Sequence, residues 1–362
     1  MLTSVGALDS DEYREYIEHE QIPIAEAFRG PAPLTTELVS VIAAVCKEQD
    51  VHTVVIMDGD LALRTWWYVA VRAFRRLPRR PRVIFFLTRY PARLELREQA
   101  DLKYWRIRFA KAMLLVLARL TGSIDRAAGF AGRDERAEGW LVKRARDPAM
   151  CLAHARDRVA LRARLGLPAD RSLVGIFGGI NVRKNPPLVL DAVERAGPDV
   201  DLVLAGPVSE DTRDWLSALP AERRARVIVA DGFLPNGVLD SYLAACDVVA
   251  LVMTLEGPSG VMGKAIAAGV PVVTAGSKTR ARELRAVHTG AATEWSAEAI
   301  AVGIRIAVRR PQTPPQPGRL AMPTPESFAA AILGDSDDGR RTSLGGRLIV
   351  AIAANVRYWL RR

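Results

Sequence analysis

Short apolar runs recur along this chain, most of them stopping at Gly, Asp or Pro before a stretch with helical spacing. The second half is the more regular: 173–177 meets Gly178-Gly179, 200–205 meets Gly206-Pro207, and 227–229 meets Asp231-Gly232-Phe233-Leu234-Pro235. A further run, 248–252, leads to Glu256-Gly257-Pro258-Ser259-Gly260. Helical spacing follows over 186–196, 211–219 and 238–246, and a small-residue helix after Gly260 ends at Gly269 before a strand at 270–274. Apolar runs of strand length alternating with helices predict parallel sheets with helical crossovers, an α/β fold. The first half is sparser. It predicts a strand end at 2–7, an acidic helix at 9–20, a short strand at 21–24 and a helix at 35–47. Clear strands follow at 53–57, ending in Asp58-Gly59-Asp60, and at 82–88, ending in Arg89-Tyr90-Pro91.

Two stretches are both apolar and basic. Over 101–120, Trp105, Phe109, Ala112, Val116 and Leu120 share a helical face among Lys103, Arg106, Arg108, Lys111 and Arg119. Over 343–362, Leu348, Ile352, Val356 and Trp359 share a face, and six arginines follow Asp338 with no acid among them. Each suits lying on an anionic membrane, and each equally suits packing its stripe on a domain core.

At 362 residues the chain fits two domains. Residues 133–166 are dense in Arg, Asp, Glu and Ala and close at Gly166 and Pro168, which reads as a solvated helical linker. The expected organisation is an amino-terminal domain over 1–150, a linker helix over 151–168 and a doubly wound domain over 169–310. A proline-rich crossing, a helix at 325–333 and the basic amphipathic tail complete it within 311–362. The net charge of +10 comes without groove-reading motifs or stacking aromatics, so an anionic membrane face or a phosphorylated substrate fits better than nucleic acid. Cys46, Cys151 and Cys246 are far apart and odd in number, which suits a reducing cytoplasm. His19, His52, His154 and His288 are scattered, and Glu18-His19-Glu20 point in diverging directions on a helix, so no metal site is expected. The first ten residues lack the basic and apolar regions of a signal peptide, and no apolar run reaches the ~20 residues of a membrane span.

Glu256 falls just past the carboxyl end of a strand, where open α/β sheets hold ligands. The amides of Ser259 to Met262 then point out of a helix start, which favours an anion. Glu256, the glycine-rich turn, the small-residue helix and Gly269-Val270-Pro271-Val272 together resemble the acidic signature of retaining GT-B glycosyltransferases of the group 1 kind. That signature has a second Glu eight residues after the first, and Lys264 occupies its place here. The loop at 178–185 resembles the family's diphosphate loop: Lys184 matches its Lys, Gly179 stands where its Arg would be, and Arg183 is a neighbouring cation. The stretch 231–249 resembles the segment facing the nucleotide base.

The resemblance implies a GT-B fold, two Rossmann-like doubly wound domains facing a cleft. The amino-terminal one is shortened, because no opening strand with a glycine-rich turn precedes residue 8. Either that unit is absent or the chain begins upstream of the sequence as given. It implies a metal-independent, retaining hexosyltransferase with no cofactor and a nucleotide-diphosphate sugar as donor. Glu256 and Lys184 are the implied catalytic residues. Gly178, Gly179, Arg183, Phe233, Leu234, Pro258, Ser259, Gly260, Val261 and Lys264 are the implied donor contacts. An ammonium donates and never accepts, so Lys264 is expected to give a hydrogen bond to a ribose oxygen or a phosphate. Asp58, Asp60 and Arg89 are acceptor-side candidates, although the two Asp also suit turn formation. The expected acceptor is a glycan or lipid-linked component of the cell envelope, used at the inner face of the plasma membrane. The second reading is a non-catalytic GT-B scaffold or a partner subunit of a glycosyltransferase.

Overall fold

The structure, a computed structural model, describes residues 1–20, 22–30, 32–89, 91–92, 102–132, 141–309 and 323–334. The chain divides into two compact units. The first carries strands β1 (Leu2–Ser4), β2 (Ala25–Phe28), β3 (Thr53–Ile56), β4 (Arg82–Leu87), β5 (Arg126–Ala131) and β6 (Lys143–Arg146). Strands β1 and β2 pair in parallel, and β3-β4-β5-β6 form a second, wholly parallel sheet in that order. The short strand expected at 21–24 therefore lies at Ala25–Phe28.

Strand β4 is buried from Val83 to Leu87, and its side chains alternate between two cores. On one side lies helix Gly59–Phe74, which buries Ala62, Leu63, Trp66, Ala70 and Phe74 at helical spacing. Trp66 meets Phe85 edge-on, with centroids 5.0 Å apart, and its Nε1 donates to the Ser123 carbonyl at 2.9 Å. The Asp58-Gly59-Asp60 run, read as a turn, is the start of this helix. A Cβ on Gly59 would lie 2.5 Å from the Phe85 ring, so glycine alone lets the helix begin directly against β4. On the other side sits helix Pro325–Leu333, with Phe328 edge-on to Phe86 at 5.4 Å and Ile332 buried. Arg126 Nη2 donates to the Ala331 carbonyl at 2.9 Å, serving a group left open at the helix's carboxyl end. Of the proline-rich crossing expected over 310–325, residues 310–322 lie outside the described residues, as does the basic amphipathic tail at 343–362.

The second unit carries β7 (Ser172–Phe177), β8 (Val200–Ala205), β9 (Val227–Ala230), β10 (Val248–Val252), β11 (Val272–Ala275) and β12 (Gly290–Thr293). They form one parallel sheet in the order β12-β11-β10-β7-β8-β9, a doubly wound arrangement whose direction of winding reverses between β7 and β10. Helices Pro186–Ala196 and Ala297–Val308 cover one face, and helices Asn236–Ala245 and Gly260–Ala268 the other.

The solvated linker expected over 133–166 is not what the described part of that stretch forms. Lys143–Arg146 is an edge strand of the first unit. Helix formation is confined to the short turn at 155–157 and to Arg158–Leu165, where Leu161 and Arg162 are buried in the second unit. Arg162 can be buried because its guanidinium is satisfied: Nη2 reaches Asp247 at 2.6 Å and Nε the Ala245 carbonyl at 2.9 Å. A count of charges cannot distinguish such an arginine from a solvated one.

Candidate active site

The reversal between β7 and β10 sends two loops out from neighbouring strand ends, so the chemistry of those loops defines the site. After β7, Gly178 takes a left-handed φ of 70°. Gly206, after β8, has a φ of 130°, and a Cβ there would lie 2.8 Å from the Gly178 carbonyl oxygen. The chain then turns through Val182–Lys184 to Asn185, whose Nδ2 donates to the Val252 carbonyl at 3.2 Å. That bond ties the β7 loop to the end of β10 across the switch point. Lys184 folds back so that Nζ donates to the Phe177 carbonyl at the end of β7. Burial, and after it the charge of Arg183, lowers its pKa to about 8. Arg183 itself is exposed beside Asn181. Gly179 is also exposed, with open space where a side chain would project.

After β10, Ser259 Oγ accepts from the Met262 amide at 3.4 Å and caps helix Gly260–Ala268. The amides of Gly260 and Val261 belong to the first turn, which has no intrahelical acceptor and carries the positive end of the helix dipole. Pro258 and Val261 are half-buried beside them. Glu256 is committed to a different helix. Its Oε1 accepts from the Lys278 amide at 2.9 Å, and its Oε2 accepts from the Thr279 amide at 2.9 Å and Ser277 Oγ at 2.8 Å. The carboxylate thus sits on the amino terminus of helix Lys278–Val287. Burial pushes its pKa up, but the hydrogen bonds from Thr279, Lys278 and Ser277 outweigh that and hold it below the usual carboxylate range.

Lys264 has a different role from the one its position implies. Its Nζ donates to Asp240 Oδ1 at 2.7 Å, Asn236 Oδ1 at 2.6 Å and the Met150 carbonyl at 3.1 Å. Those three bonds use every proton of an ammonium, so donation to a ribose oxygen or a phosphate requires giving one up. Asp240 has a fully buried side chain, and its Oδ2 accepts from the Leu152 amide at 2.8 Å. The group is an internal clasp joining helix Asn236–Ala245, helix Gly260–Ala268 and residues 150–152. Asp240 and Asn236 are not among the donor contacts that the resemblance implies. The available signal was their i, i+4 spacing on one helix face, together with a lysine in an otherwise apolar helix that needs a buried acid.

Phe233 and Leu234 follow β9, two strands from β7, where Leu234 packs on the core and Asp231 is held by the Val208 amide at 2.8 Å and Arg213 at 2.9 Å. The first-unit candidates do come together, at the carboxyl ends of β3 and β4. Asp60 Oδ2 accepts from the amides of Thr88 and Arg89, both at 2.9 Å, and Lys111 Nζ lies 2.5 Å from its other oxygen. This buried carboxylate pins the end of β4. Asp58 accepts from Thr88 Oγ1 at 3.1 Å and Arg89 Nη2 at 3.4 Å, and it remains 40% exposed. It lines a cavity of about 280 Å³ with Thr3, Ser4, Phe28, Leu38 and Ile56.

A doubly wound unit with glycine turns and a helix start at its switch point, together with a second parallel α/β unit, is the arrangement of the GT-B fold. Residues 157–321 match the family described as Glycosyl transferases group 1. A stretch of 126 residues is 37% identical to the D-inositol 3-phosphate glycosyltransferase of Xylanimonas cellulosilytica, covering 33% of this chain and 30% of that relative. The match therefore spans less than a third of the relative's length. The crystal structure of Anabaena Alr3699/HepE in complex with UDP is similar over 96% of this chain and 89% of its own, at 18% identity and a TM-score of 0.56. The sucrose-phosphate synthase of Thermosynechococcus elongatus is similar over 93% and 82%, at 15% identity and a TM-score of 0.51. These likenesses establish the fold.

Proposed function

We propose that this chain transfers a sugar from a nucleoside-diphosphate sugar held in its second unit. The observation that carries the reading is the pairing, at one switch point, of a lysine-bearing loop and a helix start, inside the segment that matches the glycosyltransferase family. Breaking the bond between sugar and diphosphate builds negative charge on the departing phosphate. A cationic Lys184 and the Gly260 and Val261 amides, fixed before reaction, are the groups that offset it. Gly179 leaves room for the phosphates. The likeness to a protein crystallised with UDP-glucose favours a UDP-hexose donor. We extend the reading to retention of anomeric configuration without a metal ion. The acceptor is a cell-envelope glycan or lipid-linked sugar, taken by the first unit near Asp58 and its cavity at the inner membrane face.

The test is release of nucleoside diphosphate from UDP-, GDP-, dTDP- and ADP-hexoses in the presence of a chelator and an envelope extract. The anomeric configuration of any product is then assigned by NMR. Turnover of one donor, with retention, is expected; no turnover of any donor contradicts the transferase reading. A second reading has its own support. Glu256 and Lys264 are both spent on internal hydrogen bonds, as in a scaffold that binds a nucleotide without using it. Nucleotide binding without sugar release under those conditions selects that alternative.

A further inference from the structure

Helix Leu102–Leu120 divides its apolar residues between two faces. Leu115 and Ala118 are buried, and Arg108 with them, so the inner face is settled in the core of the first unit. Trp105, Phe109 and Met113, at i, i+4 and i+8, face outward with exposures of 50%, 57% and 46%. The stripe expected to run through Trp105, Phe109, Ala112, Val116 and Leu120 as one unit is thus split, its aromatic end lying in solvent. The two rings stack on each other, with centroids 5.8 Å apart and planes 12° from parallel. Three large apolar side chains in a row on an exposed helix face, two of them aromatic, form a surface that calls for an occupant.

The charge around the stripe says which. Helix Gly59–Phe74 packs against this helix and exposes Arg64, Tyr68 and Arg72. Over 61–120 the sequence has thirteen arginines and two lysines against three acidic residues, Glu95, Glu98 and Asp101. The helix Leu102–Leu120 has no acid, and Arg106 is exposed beside Trp105. A second copy of this face would set arginines against arginines, and the basic tail at 343–362 would do the same. Among the described residues no helix is long and apolar enough to cross a membrane, so any contact of this face with lipid lies on the surface.

We infer that this face of the first unit seats on an anionic lipid bilayer. Trp105, Phe109 and Met113 enter the boundary between headgroups and acyl chains, and Arg106 with the arginines of the neighbouring helix meets lipid phosphates. The inference deepens the membrane-face part of the functional reading and does not depend on catalysis.

The experiment is sedimentation of the full chain with phosphatidylcholine vesicles, with and without phosphatidylglycerol. The wild type is compared with the triple variant Trp105→Ser, Phe109→Ser, Met113→Ser. All three side chains are exposed, so the variant keeps its melting temperature and its response to nucleotide, which separates a failure of this proposal from a failure of the transferase reading. The expected result is binding that needs the anionic lipid, weakens in high salt and falls about tenfold or more in the variant. Brominated lipid should quench a tryptophan signal that Trp105→Phe removes. The proposal is overturned by variant binding equal to wild type, by equal binding to neutral vesicles or by no vesicle binding. It is also overturned by a wild-type dimer that the variant abolishes, which would make a second copy the occupant.

Discussion

Lys184 and Glu256 are held in opposite senses. Burial penalises the charged form of Lys184, so its pKa falls from 10.5 to about 8. Between those values the folded chain holds fewer protons at this site than the unfolded chain. The penalty is therefore present below about pH 8 and is relieved as pH rises towards the free-lysine value. A diphosphate restores the cationic form. Nucleoside diphosphate binding above pH 8 should then take up a proton, seen as a calorimetric enthalpy that varies with the ionisation enthalpy of the buffer. Lys184→Met should remove that dependence. Glu256 has a depressed pKa, so its charge-linked stabilisation is present above the ordinary carboxylate range and lost as pH falls through the lower folded value. Glu256→Ala leaves three donors without their acceptor and should cost about 1–3 kcal/mol in denaturant titrations. Glu256→Gln should cost less, and its deficit should shrink in acid. Both residues were legible in the sequence as candidates because a strand, a glycine turn and a helix start mark such sites. Glu256's bonds to residues 277–279 were not, since they join segments that only the β10–β11 pairing brings side by side.

The Lys264–Asp240 clasp governs the next scale, since it fixes the helix that presents the candidate phosphate amides. Lys264→Ala leaves a fully buried carboxylate without its cation, which should destabilise the chain by about 3–5 kcal/mol. The double variant Lys264→Ala, Asp240→Ala should recover much of that loss, and chemical denaturation of the set measures it. Clean apolar runs made β7, β8 and β10 easy to read. Helix Gly59–Phe74 was hidden by a glycine that looks like a turn but is required by the Phe85 ring. Strand β6 was hidden by its sequence, Lys-Arg-Ala-Arg, in which the short buried Ala145 carries the only plain core signal.

Over the whole molecule, the chain begins in the first unit, builds the second and returns to the first with helix Pro325–Leu333. That helix covers a sheet face through Phe328 and Ile332, so Ile332→Ala should loosen the first unit by about 2–5 kcal/mol. Nucleotide binding by the second unit should be unaffected, which thermal shifts with and without nucleotide can check. The GT-B architecture was legible from the second unit alone, because the loop at 178–185 and the Glu256 to Val272 signature carried the resemblance, and the six strands around them do form one parallel sheet. The first unit was less so, with two short paired strands and a sheet whose edge is made of charged residues.

The most direct test of a nucleotide site in the second unit is titration of UDP, GDP, dTDP and ADP into the full chain by calorimetry, with a chelator present, for the wild type and Lys184→Met. A diphosphate site at the β7–β10 switch point predicts one-to-one, metal-free binding of one of these nucleotides, weakened about tenfold or more when the ammonium is lost. Binding of none of them, or equal binding by Lys184→Met, would contradict a diphosphate site at the β7–β10 switch point.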